Sequence, residues 1–232
     1  MGEAGRLDEC IAAADRAIEL DPTLKFAYTN RALARAMLAG GAGGIESKLA
    51  HYTGAIEDYG RAIVLQERLI ERDLARRSQG PGVLFRFASR LFKPPDTSEN
   101  AKLGSQLAKL RTDLSNMHIL RGLTHAAAYD HSLARDDFAR CIELSPANSE
   151  AYYQRGLANG RLGDLKSALR DFDMVISLQP NLPNGYMSRA EARMMVGDYD
   201  GAWEDIRICR RLGGRPPDQM IRRLTAASGR SG

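Results

Sequence analysis

The chain has 232 residues, of which 44% are apolar, 27% charged and only 6% aromatic, with a formal net charge of +4. That length allows one large domain or two small ones, and the composition excludes a disordered acidic tail, a collagen-like chain and a disulfide-stapled miniprotein. Of the 33 basic residues 27 are Arg, interleaved with Asp and Glu, and the one local excess is Arg207, Arg210, Arg211, Arg215, Arg222 and Arg223. Trp203 is the only aromatic near that cluster. A nucleic-acid surface needs a basic stripe with aromatics to stack on, so nucleic acid is not an expected partner. No apolar run approaches the roughly 20 residues that cross a bilayer. The opening MGEAGRLDEC has neither a basic n-region nor an apolar h-region, and three widely spaced cysteines suit a reducing compartment. The expected location is the cytoplasm, with peripheral membrane association left open by a segment described below.

The organising feature is an internal repeat with a period of 34 residues. The stretches SEAYYQRGLANGRLGDLKSALRDFD from Ser149 and PNGYMSRAEARMMVGDYDGAWEDIR from Pro183 superpose without gaps. Tyr152 then matches Tyr186, Arg155 matches Arg189, Gly163-Asp164 matches Gly197-Asp198, and Asp171 matches Asp205. In chain order, residues 1–22 reproduce only the second half of the unit, with Gly5, Cys10, Ala17 and Pro22 in its slots. The chain therefore begins inside a unit or is a fragment, and this open half exposes Ile11, Ala14 and Ile18 to self-association. Residues 23–69 carry Tyr28, Arg31, Ala32, Ala55, Asp58, Tyr59 and Ala62, with 11 additional residues between the halves. Within them Ala39-Gly40-Gly41-Ala42-Gly43-Gly44 predicts a flexible turn; no Lys-Ser/Thr follows a closing Gly, so it is no phosphate loop.

Residues 70–114 are foreign to the period. The preceding helix is predicted to run on to about Arg77. The following one starts early, since Leu103, Leu107, Leu110 and Leu114 recur at four, three and four. Together they predict a projecting antiparallel hairpin. At its tip lies VLFRFASRLFK, with Leu84, Phe87 and Leu91 on one helical face and Arg86, Arg90 and Lys93 on the other. Such a basic amphipathic segment can lie on a membrane surface, dock into a partner or a second copy, or fold back onto its own chain.

Residues 115–148 return to the period with His118, Arg121, Gly122, Ala134, Asp137, Phe138 and Pro146, followed by the units at 149–182 and 183–214. Each unit predicts two amphipathic helices around a Gly-Asp turn, with small residues (Gly156, Ala168) letting the axes approach and Pro22, Pro146 and Pro180 closing the second helix. Arg31, Arg121, Arg155 and Arg189 share one slot, and Asp58, Asp137, Asp171 and Asp205 another; an ion pair within each unit is expected. In residues 215–232, Pro216-Pro217-Asp218 opens a capping helix with Met220, Ile221 and Leu224.

The order Y-x-x-R-G…G-D…A-x-x-x-F…P, intact from Tyr152 to Pro180, resembles the tetratricopeptide repeat (TPR) family. The resemblance implies an all-α fold: a helix-turn-helix TPR solenoid, wound as a right-handed superhelix, with an inserted helical hairpin. It implies a non-catalytic adaptor whose first helices line a groove for a peptide or amphipathic helix. The candidate groove residues are Phe26, Asn30, Leu33, Ile119, Leu123, Tyr153, Gln154, Leu157, Arg161, Met187, Glu191 and Met194; whether the groove takes an external ligand or is covered by the chain itself stays open. TPR proteins that hold heat-shock chaperone tails carry a Lys/Asn/Arg carboxylate clamp on this face. Only Asn30 fits it, while Ile119, Leu120, Tyr153, Gln154, Met187 and Ser188 fill the other slots, so a chaperone tail is not an expected partner.

No enzyme signature stands out. His118 and His125 lie in slots that sister units fill with Tyr152 and Asn159, and no Cys or carboxylate completes a ligand set, so neither a metal nor a cofactor is expected. Cys10, Cys141 and Cys209 take small-residue slots and are expected as buried apolar side chains. The alternative function rests on the segment 83–93: a peripheral membrane or complex-assembly factor with the repeats as its frame.

Overall fold

The computed structural model describes residues 3–79 and 97–230. Among them lie ten helices and no strand: α1 (Glu3–Leu20), α2 (Lys25–Gly41), α3 (Ile45–Gln79), α4 (Thr97–Ala127), α5 (His131–Leu144), α6 (Ser149–Arg161), α7 (Leu165–Leu178), α8 (Pro183–Met195), α9 (Tyr199–Arg211) and α10 (Asp218–Ser228). The chain divides into two compact units, residues 1–124 and 125–232. The amphipathic tip, Leu84, Phe87 and Leu91 with Arg86, Arg90 and Lys93, lies outside the described residues.

Punctuation of the second unit is local chemistry repeated at each turn. Asp130, Asp164 and Asp198 cap α5, α7 and α9, each side chain accepting from the amide three residues on at 3.0–3.2 Å. One residue earlier the backbone turns left-handed, at Gly163 (φ 81°) and Gly197 (φ 83°), and the Asp amide bonds back to the carbonyl five residues before it, at 2.9 Å in all three turns. Tyr129 fills the same slot with φ 65°. A side chain is strained there, and exposed Tyr129 gains only an edge contact with His131 in return. Gly214 stands where the two units before it have Pro146 and Pro180. A Cβ there would sit 2.5 Å from Cys209 Sγ and 2.7 Å from Pro183 Cβ, so the end of α9 packs too tightly for any other residue.

Each core is built from the small and aromatic slots. Ala32, Ala55 and Tyr59 cluster between α2 and α3, and burial pushes the Tyr59 phenol up to about 12. Ala168 and Phe172 pack against Ala192, and Trp203, Ile206 and Ala202 pack against Met220 and Leu224 of α10. Trp203 also donates to Ser228 Oγ at 3.0 Å, fixing the capping helix at both ends. Cys141 and Cys209 are buried, but Cys10 is exposed: only the Ala14 side of α1 is covered, by α2.

In three helix pairs the shared Arg and Asp slots form clamps. Arg155 grips Asp171 through Nε and Nη2 (2.6 Å for the shortest contact), and Asn159 adds a third donor at 2.9 Å. Arg31 grips Asp58 and Arg189 grips Asp205 in the same way, with Arg35 and Arg193 in the place of Asn159. The first guanidinium also reaches across to the preceding helix, from Arg31 to Asp15 at 2.6 Å and from Arg189 to Asp173 at 2.7 Å. Asp15 and Asp173 occupy one slot, which holds Ala139 in front of Arg155. Arg31 and Arg35 thus face two carboxylates and Arg155 one, while Arg193 also pairs with half-exposed Asp198 at 3.4 Å, so that Arg189 and Arg193 face three. In each clamp the buried Asp is neutralised where it stands, as burial of an ion demands. Asp58 and then, after the opposing pull of burial, Asp15 hold the Arg31 guanidinium above its ordinary pKa.

Of the turn predicted at residues 39–44, only the second half lies outside helix. Ala39 is buried, and helix continues through Gly41, so only Ala42, Gly43 and Gly44 separate α2 from α3. Relative to the Arg slot, α2 runs four residues further than α6; relative to the Asp slot, α3 starts seven residues earlier than α7. The insertion lengthens the helix pair by about one turn on one side and two on the other. Beyond the period, α3 lies beside α4, joined by Gln66 donating to the Leu110 carbonyl at 2.7 Å. Buried Lys25 donates to Gln66 Oε1 at 2.5 Å and to Asp113 at 3.2 Å, tying α2 to both.

Two outcomes are expected in urea unfolding. Tyr129→Gly stabilises the chain by about 0.5–1 kcal/mol, the left-handed penalty less the added entropy of glycine. Asp205→Ala removes the buried carboxylate that Arg189 and Arg193 share, leaving them only half-exposed Asp173 and Asp198, and costs about 3–5 kcal/mol, whereas Asp173→Ala, at a half-exposed partner, costs about 0–1 kcal/mol.

Candidate functional site

The first-helix faces of the repeats carry part of the apolar surface that the helix pairs leave uncovered. In the first unit, α2 presents Phe26 (60% exposed), Asn30, Leu33 and Met37 at helical spacing along one stripe. On α4, Ile119 is half-buried and Leu123 borders on exposed. In the second unit the corresponding face belongs to α6 and α8, and it is hollow. A cavity of about 240 Å³ opens there, floored by Gly156, Leu157, Leu165, Ala168, Phe172 and Ala192, with Ser188 and Met195 on one wall. Arg161, Glu191 and Arg223 stand at its mouth.

Why the hollow exists follows from one residue. A Cβ on Gly156 would lie 2.7 Å from Phe172 Cε1. Glycine lets the ring slide under α6, and with Gly160 one turn on, the helix offers a side of bare backbone over that ring. The position next to it is firm: the Tyr153 ring packs on Phe172 at 6.1 Å between centroids, and Ser188 Oγ donates to Tyr153 Oη at 3.3 Å. Tyr153 is thus half wall and half core. Met187 and Met194 lean into the Trp203 cluster, whereas Met195 is 55% exposed and faces the hollow. Gln154 is half-buried and bonded to Glu150 at 2.7 Å. Leu157 is 38% exposed, and the charged ends of Arg161 and Glu191 are open to solvent.

Arg223 escapes a reading of the sequence. It belongs to the capping helix, three residues from buried Met220 and one from buried Leu224, which turns it towards the hollow. Met220 and Leu224 were legible as a cap; which helix face they would bury, and so where Arg223 would point, was not. His118 and His125 are buried, with His125 Nε2 3.9 Å from Asp137 Oδ2. Among the described residues no group of three or more His, Cys, Asp or Glu side chains is placed to hold a metal, and no helix is long and apolar enough to cross a membrane.

Comparison with known proteins agrees with this architecture. Residues 149–182 match the model of a tetratricopeptide repeat. A crystal structure of MamA aligns over 92% of this chain and 95% of that one, with a TM-score of 0.62 and 17% identity. Residues 149–182 are a tetratricopeptide repeat, and the chain has the all-α fold of a TPR solenoid. A second MamA crystal structure aligns over 90% of this chain and 83% of that one (TM-score 0.61, 18% identity), and a MamA double mutant gives a TM-score of 0.56 at 15% identity, covering 90% of this chain and 86% of that one. Among curated proteins no sequence match is found. TPR proteins are in general non-catalytic protein-interaction modules, and the solved neighbours share the all-α fold of this one.

Gly156→Ala tests the packing that opens the hollow. The added methyl must push Phe172 aside, and the expected cost is about 1–3 kcal/mol in urea unfolding.

Proposed function

We propose that this TPR protein is a non-catalytic adaptor that holds an apolar segment or amphipathic helix of a protein partner against its first-helix faces. The hollow between α6 and α8 is the observation that carries this reading. Its 240 Å³ falls below the roughly 300–1,000 Å³ of small-molecule sites, a size suited to one bulky side chain rather than to a substrate or cofactor. The floor is leucine and phenylalanine, and exposed Met195 at the wall can adapt to an irregular partner. Arg161, Arg223 and Glu191 around the rim would orient the segment on either side of that anchor, the pattern of an apolar centre within a polar ring. On α2, the exposed stripe of Phe26, Leu33 and Met37 offers the first unit a helix-sized apolar surface of the same kind.

Leu157 and Met195 are the residues to change, because both line the hollow and neither belongs to a core cluster. Tyr153 is a poorer choice, since its ring supports Phe172. A Leu157→Glu, Met195→Glu variant is expected to keep the circular-dichroism spectrum and melting curve of the native chain. In affinity capture from host lysate it is expected to lose the partner that the native chain retains. An unchanged partner list with an unchanged melting curve overturns the role given to the hollow.

A further inference from the structure

The insertion in the first full unit builds a second surface, on a different side of α2 from the stripe of Phe26, Leu33 and Met37. Between α1, α2 and α3 lies an open basin of about 780 Å³. Its apolar floor is Ile11, Leu38, Leu49 and Ala50. Three of these, Leu38, Leu49 and Ala50, fall in the turns that the insertion adds to α2 and α3, so the regular units at 149–182 and 183–214 have no counterpart. Leu49 is 55% exposed, a large apolar side chain facing water near the start of α3, as is Ile45 at 85%.

The rim is acidic. Asp8 from α1 and Glu46 and Glu57 from α3 line it, all three exposed and none in an ion pair among the described residues. Glu46 stands in the first turn of α3, where the helix dipole offsets part of its charge. The one guanidinium in the lining is already engaged: Arg35 Nη1 donates to Asp58 Oδ2 at 2.7 Å and to the Gly54 carbonyl at 3.2 Å. His51 is the remaining titratable group of the lining. Within a chain of net charge +4 this is a local field of the opposite sign, laid around an apolar floor.

We propose that this basin docks a basic amphipathic helix of a protein partner, its apolar stripe on Ile11, Leu38 and Leu49 and its Lys or Arg side chains against Asp8, Glu46 and Glu57. An apolar segment without basic flanks would leave three carboxylates partly desolvated and unpaired, and an acidic one would be repelled. The basin goes beyond the adaptor reading, since it lies on other residues and selects a partner by charge.

The test is fluorescence anisotropy of the full chain with a labelled synthetic peptide, VLFRFASRLFK, which has the required chemistry. Saturable binding is expected, weakening as salt rises. It is expected to fall about tenfold in an Asp8→Lys, Glu46→Lys, Glu57→Lys variant and to be lost in Leu49→Glu. Melting curves are expected to shift only slightly, because all four positions are exposed and the main cost is reversing the Glu46 charge in the first turn of α3. Equal binding by the charge-reversed variant, or by a peptide with Glu at its three basic positions, overturns the proposal. Loss of binding in Leu157→Glu, Met195→Glu alone would move the peptide to the hollow, leaving the adaptor reading intact and removing the basin. Finally, the R86E/R90E/K93E full chain is expected to bind the peptide as the native chain does. A tenfold gain there would mean that the chain's own segment occupies the basin, which overturns a partner helix as its occupant.

Discussion

A carboxylate buried between two helices must be neutralised where it stands. Asp58, Asp171 and Asp205 are each nearly sealed from water, and each is gripped by the guanidinium of the facing helix through two nitrogens. The fork geometry of Arg fits a carboxylate in one orientation only, so the clamp fixes the register of the two helices as well as their charge. Apolar packing of Ala, Gly and aromatic slots brings the helices together, but it is tolerant of sliding; the clamp is not. Everything placed by register, including the glycine over the Phe172 ring and the hollow beside it, depends on that pairing.

The clamp also explains how the repeats vary. Where the residue one turn beyond the first Arg is itself Arg, the preceding helix supplies a second carboxylate, as with Asp15 and Asp173. Where it is Asn159, the corresponding slot is Ala139. The family match covers residues 149–182 alone, yet the same physical requirement is met at Asp58, in a helix pair lengthened by an insertion.

Two kinds of surface arise from this frame. The hollow beside Leu157 comes from what the repeat lacks, side chains at Gly156 and Gly160. The basin beside Leu49 comes from what the first unit adds, one turn on α2 and two on α3. The hollow carries two Arg and one Glu at its mouth, while the basin carries three carboxylates with no cation to spare. In both proposed roles apolar contact would supply the affinity of the surface, and the rim charges would discriminate between partners.

The sequence alone determined the repeat, the helix pairs and the clamp, because all three are written in residues that recur every 34 positions and need only local geometry to act. The alternation of Arg and Asp slots, the capping Asp residues and the small-residue contacts were legible for that reason. Tertiary structure decided the rest. Ala39 to Gly41 look like a turn by composition, but burial of Ala39 against its neighbours outweighs the helix cost of two glycines. Cys10 looks like a core residue by its slot, but a slot is buried only if a helix covers it. Met194 and Met195 are adjacent and chemically identical, and only the rotation of α8 against the Trp203 cluster makes the first core and the second surface. Arg223 reaches the hollow because Met220 and Leu224 bury the adjoining face of α10. Periodicity specifies what repeats; packing between non-repeating neighbours specifies which side chains are left for a partner.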